Sequence, residues 1–160
     1  MAAAQVQTAT TFTTPSSPLP MSGLASFLNN VLSCLGMLIQ TLTGVSFNSG
    51  NTDYQIVISL PAGFTRYFIN TVFISGASGT LTTATAGLFT ATGGGGVTIA
   101  ANQAVTVSTA SNDTVNNMQA LTLTGTATTA FSDTALYFRI GTAEGSAQTA
   151  SVTVRYTPLP

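Results

Sequence analysis

Between residues 52 and 157 the sequence is a succession of short runs in which large apolar residues alternate with hydroxyl residues, each run cut by a turn signal. Tyr54, Ile56, Ile58 and Leu60 alternate until Pro61-Ala-Gly63 breaks the pattern. Residues 64–74 carry large side chains on both faces, Tyr67, Ile69 and Phe73 against Phe68, Val72 and Ile74. Such a strand belongs in the middle of a sandwich or at a subunit contact. Residues 76–92 read as small and turn-rich, with Leu81, Leu88 and Phe89 as anchors. Further strands are predicted at 97–99, 105–107, 120–126, 135–140 and 150–156, the last with Val152, Val154 and Tyr156 on one face. About eight short strands without a helical interruption predict an all-β antiparallel sandwich, jelly-roll-like, although an immunoglobulin-like strand order fits the same pattern.

The period changes upstream. Leu24, Leu28, Val31, Leu35, Leu38 and Leu42 follow a 4-3-4-3-4 spacing, which predicts an amphipathic helix over 21–44 with Ser22 as N-cap and Gly44 as its stop. Its apolar face is broader than a two-stranded seam requires. It suits packing on its own sandwich or against identical helices, and Leu with Val in the seam leans towards a three- or four-fold arrangement. A membrane span is disfavoured, because two asparagines, a glutamine and several serines would face lipid without flanking Lys, Arg or Trp. Residues 1–20 hold Pro15, Pro18 and Pro20 after a Thr/Ala-rich stretch, and predict an extended arm. The expected organisation is therefore an arm over 1–20, a helix over 21–44 and a β-sandwich over 45–160.

Composition decides what such a sandwich can do. Only 4% of the 160 residues are charged, the net charge is −1, and thirty threonines make hydroxyls the main surface polarity. An ordinary soluble domain has about 25% charged residues. Nucleic acid is a poor partner for a chain with three arginines, Arg66, Arg139 and Arg155, and no lysine. Nucleophilic catalysis needs a base beside the nucleophile, and the chain has no histidine. Cys34 lies on the apolar side of the expected helix, as a buried thiol would. Asp53, Asp113, Asp133 and Glu144 fall in expected turns, where acidic residues cap local structure. The stretch 112–117 offers oxygens but lacks the spacing of a calcium loop, and the glycines at 93–96 lack the Gly-Lys-Ser/Thr of a phosphate cradle. No catalytic residue, cofactor or metal is expected.

The Pro-rich arm, the charge-poor Thr/Ala/Gly sandwich, and the segments Arg66-Tyr-Phe-Ile-Asn-Thr-Val-Phe-Ile74 and Ala135-Leu-Tyr-Phe-Arg-Ile140 resemble small virion proteins of tailed bacteriophages. The resemblance is closest to capsid decoration, or cement, proteins. It implies a non-enzymatic virion protein, assembled in the host cytoplasm, that sits on the shell as a homotrimer and clamps subunits of the major capsid protein. The expected helix is not a general feature of that class, so a head- or tail-fibre adaptor acting as an adhesion or host-binding module is the alternative. Leu28, Val31, Leu35, Leu38 and Leu42 of the seam, with Arg66, Phe68 and Arg139 of the strands, are the expected oligomer or partner contacts. Neither nucleic acid nor membrane is an expected partner.

Overall fold

A computed structural model describes residues 36–109 and 117–160. Within them the chain runs through β1 (Leu38–Ser46), β2 (Thr52–Val57), β3 (Arg66–Ser75), β4 (Thr85–Phe89), β5 (Thr98–Ala104), β6 (Met118–Ala120), β7 (Ala135–Thr142) and β8 (Thr149–Leu159). Helical structure among the described residues is confined to 3-10 turns at Thr92–Gly94 and Gly125–Thr128. The strands form a front sheet, β1-β8-β3-β6, and a rear sheet, β2-β7-β4-β5, antiparallel throughout. The all-β antiparallel expectation holds. First pairs with last, second with seventh, third with sixth and fourth with fifth. The chain is thus one long antiparallel ribbon folded over on itself.

β1 corrects the helix expected over 21–44 in its last turns, and with it the sandwich boundary at 45. Leu38 and Leu42 lie on a strand that pairs with β8 from Leu38↔Tyr156 to Ser46↔Thr149. The seam spacing told only half of the local story. Over 38–46 Leu38, Gln40 and Leu42 also alternate with Ile39, Thr41 and Thr43, and β-branched residues favour the pleated surface. A ready partner strand then decides in favour of the sheet. Gly44 is not a helix stop: its φ of +69° lies where the β1–β8 register shifts between Leu42 and Val45, a bulge suited to glycine. Residues 21–35, with Leu28, Val31, Leu35 and Cys34, lie outside the described residues, as do the arm and 110–116.

Other boundaries move for similar reasons. The turn-rich stretch at 76–92 contains β4, whose Ala86 and Leu88 point into the core. The strand expected at 97–99 overlaps the longer β5, whereas 105–107 lies beyond it: Val105 and Val107 stay buried, and single backbone bonds run from Val105 N–H to the Ala84 carbonyl and from Leu81 N–H to the Val107 carbonyl. The strand expected over 120–126 is only Met118–Ala120, and the chain then turns away into a 3-10 turn. On β3 a bulge between Ile69 and Thr71 switches faces in mid-strand. Tyr67, Ile69, Val72 and Ile74 are therefore the buried set, and Phe68 and Phe73 face outward, instead of a strict alternation. Val152, Val154 and Tyr156 face inward together, as expected.

Between the sheets lies one apolar core that includes Phe47, Leu88, Leu136, Phe138 and Ile140. Phe47 meets Phe138 edge to face at 6.2 Å, and Tyr67 meets Tyr156 in the same manner at 5.5 Å. Both tyrosine hydroxyls reach carbonyl oxygens at 2.9 Å, Tyr67 to Asp133 and Tyr156 to Ser59, so neither is buried unpaired. Burial raises the pKa of both phenols, and the neighbouring Asp133 and Tyr156 raise that of Tyr67 further.

Candidate functional site

The two outer faces of the sandwich differ in how far the chain covers them. On the rear sheet, Arg139 of β7 and Asp53 of β2 are register partners on the outer side. Arg139 Nη1 donates to both carboxylate oxygens of Asp53 at 3.1 Å, and Nη2 donates to Asn51 Oδ1 at 2.8 Å. Asp53 also accepts the Gly93 N–H at 2.8 Å. That contact draws the glycine stretch over the sheet, where Gly94, at φ +75°, sits so close that an added Cβ would lie 3.4 Å from Arg139 Cδ. Phe89, which also points outward, is almost wholly covered. Asp53 is thus a strand residue and not the turn residue expected. Its partnership with Arg139 holds a loop and leaves both charges spent.

A second carboxylate is spent in the same way. Glu144 accepts N–H bonds from Thr82, Thr83 and Ala84, each at 2.9 Å to Oε2, and the Thr82 hydroxyl at 3.1 Å to Oε1. Three successive N–H groups form a small anion nest, and the chain fills it with its own side chain. Partial desolvation is the largest single influence and pushes the pKa up, but the donors together outweigh it and lower it. At the corner between the sheets two glutamine carboxamides act as surrogate peptide groups. Gln119 accepts from Thr106 N–H at 2.6 Å and donates to the Ala104 carbonyl at 2.8 Å. Gln103 accepts from Thr122 N–H at 2.9 Å and donates to the Thr122 carbonyl at 3.1 Å. Sequence reasoning singled out neither glutamine, because pairing across the corner leaves no periodic signal.

The outer face of the front sheet is partly exposed among the described residues, with Thr153 at its centre buried and Phe68 and Phe73 half-buried. Ile39, Thr41 and Thr43 of β1, Ser151, Thr153 and Arg155 of β8, and Phe68, Thr71 and Phe73 of β3 share it, with Met118 of β6 at the side. Ile39 and Met118 are 37% and 58% exposed. Thr41 and Thr153 share a hydroxyl hydrogen bond of 3.0 Å, and the Arg155 guanidinium stacks 5.1 Å from the Phe73 ring centre. The charged residues in these four strands are two arginines, Arg66 and Arg155. Chemically this is a hydroxyl and apolar surface whose charges are the two arginines.

The expected contact residues divide between these regions. Arg66 and Phe68 are brought together on the outer side of β3, where Arg66 is exposed and donates to the Pro160 carbonyl at 3.5 Å. Leu42 is half-buried and Leu38 is buried, both turned to the core side of β1. Arg139 is on the other sheet, inside the cluster just described. Among the described residues no three His, Cys, Asp or Glu side chains gather as a metal site, and no helix is long and apolar enough to cross a membrane.

No protein-family model matches the chain, and no curated protein matches its sequence. Among solved structures it is similar to a chain of a cyanophage Pam1 capsid asymmetric unit, at 16% identity and a TM-score of 0.48, over 78% of this chain and 85% of that one.

Proposed function

We propose that the chain is a non-enzymatic structural protein of a phage virion, a decoration or cement protein that binds the capsid shell and stabilises contacts between its subunits. The observation that carries this reading is the front face, on which exposed Ile39 and Met118 and half-buried Phe68 and Phe73 stand among hydroxyls with arginine as the sole charge. A free protein with so few charges has little repulsion to keep such a face apart from its own kind. A protein destined for a shell has that face covered by its neighbours. Recognition must then come from shape, from apolar burial at about 25 cal/mol per Å², and from added strands or arms. The two front-sheet arginines favour a partner surface rich in carboxylates or carbonyl oxygens.

The ribbon pairing supports reading the sandwich as a jelly roll, since a long hairpin wrapped over a core puts its first strand beside its last and its third beside its sixth. On this reading the protein is a homo-oligomer, a trimer by preference, with residues 1–20 reaching onto another chain and the major capsid protein as partner. Its place is the virion. The test is a density-gradient separation of particles from the native source, followed by labelling with an antibody to the chain. Co-banding with particles and label spread over the shell is the expected result. Label at a single vertex or on fibres would turn the reading towards an adhesion adaptor, and recovery only as free protein would overturn it.

A further inference from the structure

The front sheet ends on β3 in an interrupted edge. β6 pairs only with Phe73–Ser75. At the other end Tyr67 exchanges both backbone hydrogen bonds with Phe131, at 2.9 and 2.8 Å. Between them residues 68–71 have no ladder partner on that side among the described residues. The chain leaves at Leu121, whose N–H donates to the Val72 carbonyl, and swings outward through the Gly125–Thr128 turn. It leaves a groove of about 440 Å³ lined by Phe68, Ile69, Asn70, Leu123, Ala127 and Thr128. Tyr67 turns its N–H and C=O to this side, and the two-residue repeat of a strand turns those of Ile69 the same way. The groove therefore combines an apolar lining with the backbone N–H and C=O of one edge residue, Ile69, between the contacts at Tyr67 and Val72, and none of its lining residues is charged.

The sequence upstream of β1 has the matching chemistry. Residues 1–35 carry no charge, and Phe12 is the one aromatic of the first twenty. It stands between Thr10-Thr11 and Thr13-Thr14, β-branched residues suited to a strand, and is followed by the prolines at 15, 18 and 20. Gly36 lies twenty-four positions after Phe12, a reach of up to about 80 Å when extended. The proline segment favours extended backbone and opposes a tight return to the same subunit. We infer that the groove between β3 and the Gly125–Thr128 turn is the acceptor for residues 10–14 of a second copy, with the Phe12 ring filling it and the flanking threonines pairing with the free edge at Ile69. The mode is strand addition with an aromatic anchor.

This inference rests on the oligomer proposed above, and its test separates the two. In a Cys34→Ser background, Thr13→Cys is combined with Thr128→Cys, and differently tagged chains are mixed before oxidation. Disulfide-linked species carrying both tags are expected; a bond formed only within one chain overturns the inference in favour of self-docking. Sedimentation of the full chain then compares Phe12→Asp with Ser17→Asp, which puts the same charge in the proline segment. Phe12→Asp is expected to weaken self-association at least about thirtyfold, as loss of an aromatic hot spot does, at unchanged melting temperature, and Ser17→Asp to leave it intact. An oligomer that Phe12→Asp leaves undisturbed, without cross-links between chains, overturns the acceptor assignment and spares the assembly reading. A wild-type chain that is monomeric at micromolar concentration overturns both.

Discussion

The rear and front faces are built from the same strand types, yet on the rear one a glycine stretch is drawn down over Phe89 and Arg139, while Val57 on the same face stays 58% exposed. On the rear sheet the Asp53–Arg139 pair pulls the glycine stretch down over Phe89, and every charged group nearby has its partner inside the molecule. On the front sheet nothing among the described residues folds back, and Phe68, Phe73, Ile39 and Met118 face outward. The difference teaches where to look for function in a chain almost without charges. Asp53 and Arg139 tie a loop down on the rear face, Glu144 holds the Thr82–Ala84 turn, and Arg66 and Arg155 stand on the front face.

Substitutions can break this comparison, beginning with the core that both sheets share. Phe138→Ala is expected to cost about 3–5 kcal/mol in urea unfolding, since the ring is fully buried against Phe47. Next is the seal itself. Asp53→Ala leaves the Arg139 guanidinium and the Gly93 N–H without their carboxylate, and is expected to cost about 1.5–3 kcal/mol, the range for hydrogen bonds to charged groups. Faster amide exchange over residues 92–96 would locate the effect in the glycine stretch. Phe73→Ser on the open face should change monomer stability by less than about 1 kcal/mol, yet weaken assembly clearly in sedimentation. Equal effects of Asp53→Ala and Phe73→Ser on both readouts would remove the distinction between the faces.

Acid and alkali probe the same contrast with smaller effects. The Tyr67 and Tyr156 pKa values are raised by burial, so the unfolded chain loses phenolic protons first. Their contribution is complete below the unfolded tyrosine value of about 10 and is lost as pH rises above it. Without lysine to titrate in the same range, Tyr67→Phe and Tyr156→Phe should visibly flatten the alkaline limb of a stability profile. The Glu144 pKa is lowered, so its contribution is present above the unfolded carboxylate value of about 4.3 and falls away as pH drops through the lower folded value. Glu144→Gln should flatten the acid limb, modestly, because the group is near solvent. The smallest expected effect is that of salt: an interface made on the front face should sediment alike at low and high ionic strength, since it has little Coulomb attraction to screen.

Much of the fold was legible in the sequence, and the site only in part. The inward set on β8, the strand at the centre of β7 and the turn at Pro61–Gly63 follow from local alternation and turn chemistry, which act within a few residues. Arg66 and Phe68 were marked as contacts because they sit on a two-sided strand, and they line up on the open face. Arg139, flanked by Phe138 and Ile140, pairs with a carboxylate as such an arginine can, but its partners Asp53, Asn51 and Gly94 come from distant positions in the chain. No spacing rule links them. Neither could spacing reveal Gln119 and Gln103 as stitches at the sheet corner.

By itself the sequence determined that residues after 52 form short antiparallel strands around an apolar core, because a two-residue period with threonine-rich opposite faces suits the pleated sheet better than a helix. Tertiary structure alone decided that residues 38–46 join them. There two local patterns compete, a helical seam and a strand alternation, and the ladder to β8 tips the balance. It alone decided also that the β3 bulge at Asn70 reverses which residues face the core, and that the glycine stretch is tied to Asp53 on the rear face. Those outcomes depend on register and on contacts between residues far apart in sequence. A local period carries no record of them.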